Sequence, residues 1–188
     1  VNNIGFFDMA IGVDYSISTI LTNAFNASIE EVLNLANGLI ASLTRGSGGS
    51  NEFKQLIQLR NKYTRAEETI HYYTIAINSR TNPSISALLR ACDVLCKRSM
   101  DEILKPLGRK SPPVMTYVDK GIGASILKAG LRLWDGRISP VAAIKITQHN
   151  LYRPTAIIHE TGHQVAHILN WTEGLELAIN QSLSSSDE

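Results

Sequence analysis

The stretch VAAIKITQHNLYRPTAIIHETGHQVAHILNW, Val141–Trp171, changes its period halfway along. Val141–Thr147 is a short, largely apolar run bounded by polar residues, which predicts a β-strand. Pro154 then marks the start of a helix, since proline at the first helical position gives up no hydrogen bond. Beyond it Ile158, Gly162, Val165 and Leu169 recur at i, i+4, i+7 and i+11, a pattern that predicts one buried helix face. Glycine inside a helix costs up to ~1 kcal/mol against alanine, so close packing of another element is expected at Gly162.

Reading outward, VMTYV (114–118) and ILKAGLRLW (126–134) predict two further strands, with a turn at Asp135-Gly136. Upstream of Arg109–Pro113 the texture is helical. Ser28 and Glu31 stand at capping-box spacing, which predicts a helix start there, followed by the periodic Val32, Leu35, Ala36, Leu39 and Leu43. GSGGS (46–50) predicts a flexible break. Phe53, Leu56, Ile57, Tyr63, Ile70 and Tyr73 carry a second helix; Asn82-Pro83 opens a third, closed by Pro106 and Gly108. The expected fold class is therefore α+β: residues 1–108 helical, and residues 109–188 a small sheet with one long helix.

A chain of 188 residues with 44% hydrophobic content can bury a core without staples. A net charge of +1 gives no electrostatic reason to expect a nucleic acid partner. No apolar run approaches the ~20 residues of a membrane span, so no membrane partner is expected. Cys92 and Cys96 sit at i,i+4, not at the C-x-x-C spacing of metal or redox motifs. They are expected to be inert core thiols, which favours a reducing, cytoplasmic setting.

The chemistry lies in His159-Glu160-Thr161-Gly162-His163. Residues four apart on a helix have Cβ atoms roughly 5–6 Å apart, so both imidazoles can address one ion. Glu160 is ~100° further round, out of line as an equal ligand but able to take a proton from a water beside the metal. His167 follows one turn later, ~80° and ~12 Å away from His159. A straight helix cannot bring all three histidines to one ion, and His167 is expected to pack instead.

H-E-x-x-H on a helix after a short sheet resembles the zincin superfamily of zinc metallopeptidases. The resemblance covers the helix and, loosely, the strands from Pro113 onward. It implies Zn2+ as cofactor, His159 and His163 as ligands, Glu160 as general base, and a peptide or protein as substrate. It also implies an edge strand beside the helix that pairs with substrate, for which PVAAIKIT (140–147) is the candidate. Ala166 and Leu169 stand where the three-histidine branch has glycine and its third histidine, so that branch is excluded. The branch with a glutamate from a later helix fits better, yet Glu173 and Glu176 are too close in sequence and Asp187 and Glu188 are terminal. The third ligand is expected beyond Glu188, so that the chain stops short of a complete site. Two alternatives stay open: a non-catalytic or regulatory interaction protein with a relic or incomplete site, and a purely structural H-x-x-x-H site. His149 and Tyr152 read as strand-end polar residues, and His71 as a helix residue.

Overall fold

The computed structural model describes residues 13–46 and 49–184. Among them five α-helices flank a three-stranded sheet, a mixed α+β arrangement. Helix α1 (Tyr15–Thr44) begins well before the expected start, because Ile17, Leu21 and Phe25 extend its buried stripe upstream. Asp14 caps it, its carboxylate accepting the Ser16 N–H at 2.8 Å. Ser28 is buried in mid-helix and donates to Asp135 Oδ2 at 3.0 Å, while Glu31 meets Lys62 and Arg137. The capping-box expectation is thus corrected: both residues serve tertiary contacts. Gly46 follows α1 and Ser50 opens α2 (Ser50–Asn78); Ser47 and Gly48, the middle of the expected break, lie outside the described residues. Helix α3 (Pro83–Leu104) starts as expected, with the Asn82 side chain accepting the Ser84 N–H at 3.0 Å.

The sheet consists of β1 (Val114–Val118), β2 (Ser125–Leu127) and β3 (Ala142–Ile146) in the order β1-β3-β2. β1 runs parallel to β3, with Val114 opposite Ala142, and β2 runs antiparallel, with Leu127 opposite Ala143. The run taken for an edge strand is therefore the central one, hydrogen-bonded on both sides. ILKAGLRLW is likewise corrected, since only Ile126 and Leu127 of it belong to a strand. At Gly130 (φ 91°) the chain leaves the sheet for a narrow excursion, in which the Leu133 N–H donates to Arg137 O at 2.7 Å. The excursion reverses at the expected Asp135-Gly136 turn, where Gly136 takes φ 88°.

Alternate side chains of the sheet enter two cores. Met115, Tyr117 and Ala143 face Ile17, Leu21 and Phe25 of α1 and Tyr73 and Ile77 of α2. Val114, Ala142, Ile144 and Ile146 face Leu89, Cys96 and Met100 of α3 and Ile157 and Val165 of α4 (Pro154–Ile168). Burial on both faces is why β1 and β3 read as continuous apolar runs rather than alternating ones. Helix α5 (Trp171–Ser184) follows α4 through Asn170 (φ 49°) and has no buried residue. No described helix is long and apolar enough to cross a membrane.

The link from α3 to β1 depends on Asp101. Its carboxylate accepts the Ser111 hydroxyl and pairs with Lys97 and Lys105. The Ser111 hydrogen bond first, and Lys105 next, hold this carboxyl down at about 2, against an ordinary 3.8. A depressed acid stabilises the fold above its unfolded value, and the contribution is lost as pH falls from near 4 towards 2. Ser111→Ala is expected to raise the Asp101 titration point and weaken this acid-limb dependence. Carboxyl titration by NMR checks it, and an unshifted Asp101 in the unmodified protein would refute it.

Candidate metal centre

Helix α4 leaves the end of β3 through a single 3-10 turn, Gln148–Asn150, and begins at Pro154. Its buried residues are Ile157, Thr161, Gln164 and Val165. The expected face, Ile158, Gly162, Val165 and Leu169, is displaced by about one residue: Ile158 is 37% exposed. Nothing lies within 4 Å of where a Gly162 Cβ would stand, so the close packing expected there is absent. Hydropathy alone misplaces the face because two polar residues lie on it with their hydrogen bonds made. Thr161 donates to Ile157 O at 2.8 Å. Gln164 accepts the Ala129 N–H at 2.8 Å and donates to Ala129 O at 3.2 Å.

Gln164 is the residue that sequence reading missed. Its amide pairs with both backbone groups of Ala129 as a neighbouring strand would, pinning α4 to the segment just after β2. Gln164→Ala leaves a buried N–H and C=O without partners, at ~1–3 kcal/mol each. A loss of about 2–4 kcal/mol in urea unfolding is expected, and a loss below about 1 would show that the clamp is dispensable. A glutamine in an apolar stripe was the only available signal, and it names no partner.

With that face buried, His159 and His163 point outward and both are exposed. Their Nε2 atoms stand 3.2 Å apart, and the rings meet edge to face at 88°. Two nitrogens at about 2.0–2.1 Å from one tetrahedral ion are separated by about 3.3 Å, so the pair is spaced for shared ligation with almost no movement. The same spacing accommodates one N–H···N hydrogen bond when a single ring carries its proton on Nε2. Glu160 is half-buried on the adjoining flank, and donor atoms of all three residues lie within 4.8 Å of one another. Two imidazoles and a carboxylate form a donor group of the kind that can hold a metal ion, with both histidines exposed.

The other histidines stay apart from this group. His167 is half-buried against Gly130, where an added Cβ would meet its Nε2 at 3.3 Å. That is the packing role expected of it. His149 is exposed and lines a hollow of about 480 Å³ with Asp119, Lys120 and Gln148. Tyr152 is 82% exposed. His71 lies on α2, which covers the opposite face of the sheet from α4. Glu173 and Glu176 are exposed on α5, and among the described residues no further His, Cys, Asp or Glu joins the group. Asp187 and Glu188 lie outside the described residues. Cys92 and Cys96 are buried and unpaired by disulfide, and burial pushes the Cys96 thiol up to about 12 despite a hydrogen bond with Thr161. Comparison with known protein families, with curated proteins and with solved structures found no match for this chain.

Proposed function

We propose that the chain carries the metal-binding and general-base part of a zincin-type zinc metallopeptidase. The observation that carries this reading is the 3.2 Å separation of the two Nε2 atoms on a helix that also presents Glu160 beside them. His159 and His163 hold the zinc. When bound, zinc supplies Lewis acidity that brings the pKa of water towards ~7 and polarises a carbonyl. Glu160 takes the proton from the attacking water and passes it to the leaving amine, which departs neutral. The substrate is a peptide or protein in extended form. β3 is saturated by its two neighbours and has no backbone groups to offer, so β2, the edge strand packed beside α4, is the strand that receives it.

A second reading is supported by the count of donors, three among the described residues, one of which is needed as base. In it the site binds metal without hydrolysing peptides, and the protein acts as an interaction or regulatory module. Metal analysis combined with peptide-library cleavage separates the two. Zinc at one equivalent with cleavage supports the peptidase, zinc without cleavage supports the second reading, and protein that takes up no zinc overturns the peptidase.

A further inference from the structure

Only the inner halves of α1 and α2 lie on the sheet. Buried residues cluster at Ile17–Ser28 of α1 and Ala66–Ile77 of α2. The outer halves pack against each other and leave large apolar side chains in water: Leu33 is 41% exposed, Phe53 64%, Leu56 51% and Tyr63 55%. The exposure on α2 is ordered. One face, carrying Tyr73, Ala76 and Ile77, is buried in the core that α2 shares with α1. A second seam runs Phe53, Leu56, Arg60, Tyr63, Glu67 and Ile70, with alternating steps of three and four residues, the repeat by which helices pair. It is divided in character. Its N-terminal half presents protruding Phe53 and Leu56. Its C-terminal half, with Leu33 of α1, lines an apolar groove of about 530 Å³ from Tyr63 to Thr74.

Ridge and groove on one helix are the two halves of a self-complementary surface, as a twofold interface requires. We propose that a second copy of this chain docks here, α2 against α2 in antiparallel sense, about an axis beside Tyr63. Such an axis seats the partner's Phe53 and Leu56 in the groove by Ile70 and Thr74. The charges select the same occupant and register. Arg60 and Glu67 are both exposed, make no ion pair within the described residues, and stand seven residues apart, ~10.5 Å along the helix. The axis midway between them sets Arg60 of each copy opposite Glu67 of the partner subunit, twice per interface. A parallel pairing would set like charges together.

Sedimentation equilibrium on the full chain tests this. The expected result is a dimer at low micromolar concentration. Tyr63→Glu sets two carboxylates against each other at the axis and is expected to raise the dissociation constant by at least ~100-fold. Its position is exposed, and an unchanged circular dichroism spectrum and melting point would confirm an intact monomer. Arg60→Glu is expected to weaken the dimer by ~10-fold, and Arg60→Glu with Glu67→Arg to restore it to within ~3-fold. A monomer throughout the micromolar range overturns the proposal, and is the result expected if another segment of the chain or an unrelated partner fills the groove. A double reversal no better than either single one overturns the register.

Discussion

Arg80→Ala is expected to destabilise the protein by about 3–5 kcal/mol, a large part of the 5–15 kcal/mol that keeps a domain folded. The Arg80 side chain is fully buried where α2 ends, and Asp93 on α3 is nearly so. The guanidinium donates to both Asp93 oxygens at 2.7 Å, and its Nε donates to Thr116 O on β1 at 2.9 Å. Asp93 also accepts the Thr116 N–H at 2.7 Å. One ion pair thus ties together two helices and a strand that sequence separates widely. Burial pushes the Asp93 carboxyl up, and the Arg80 guanidinium pulls against that shift. Without Arg80 the carboxylate stays buried with no cation, which is the source of the expected loss. Arg80→Lys does not rescue it, because an ammonium cannot reproduce the planar fork that serves Asp93 and Thr116 together. Replacing both partners with apolar residues, Arg80→Met with Asp93→Leu, is expected to cost much less than either single change. Denaturant unfolding of the four proteins measures the coupling directly. A loss below about 1 kcal/mol in Arg80→Ala would show that solvent reaches the pair.

Glu160→Gln is expected to lower peptide hydrolysis by about 10²–10⁴-fold while leaving zinc content unchanged. The amide keeps the size and most of the polarity of the side chain but cannot take a proton at neutral pH. His163→Ala is expected to act differently, releasing the metal and the activity together, since a single imidazole remains. The contrast also settles what Glu160 does. As a base it changes turnover and spares metal affinity. If instead its carboxylate ligates alongside the histidines, zinc binding weakens in Glu160→Gln as it does in His163→Ala. Metal titration on both variants, run beside the cleavage assay, reads the two outcomes apart.

The parts of this structure legible in the sequence are those fixed by neighbours in the chain. Asn82-Pro83 opens α3 because the cap is made two residues away, at Ser84. Asp135-Gly136 turns because glycine accepts a positive φ. His159 and His163 converge because the helical repeat places i and i+4 together whatever the surroundings. The strands at Val114–Val118 and Ala142–Ile146 were legible as apolar runs too, though their order was not.

The sequence by itself determined the paired imidazoles with a carboxylate between them, the mixed α+β class, the start of α3 at Asn82-Pro83 and the turn at Asp135-Gly136. The tertiary structure alone decided that β3 is central, with β1 and β2 at the edges, because strand order depends on pairing between distant segments. It decided which face of α4 is buried, because Thr161 and Gln164 become core residues only once Ile157 O and the Ala129 backbone receive their hydrogen bonds. It likewise turned Ser28 from an expected cap into a buried partner of Asp135, 107 residues away. The division follows from range: helical geometry acts over four residues and is written in the spacing, whereas a buried polar group is stable only when a remote partner satisfies it.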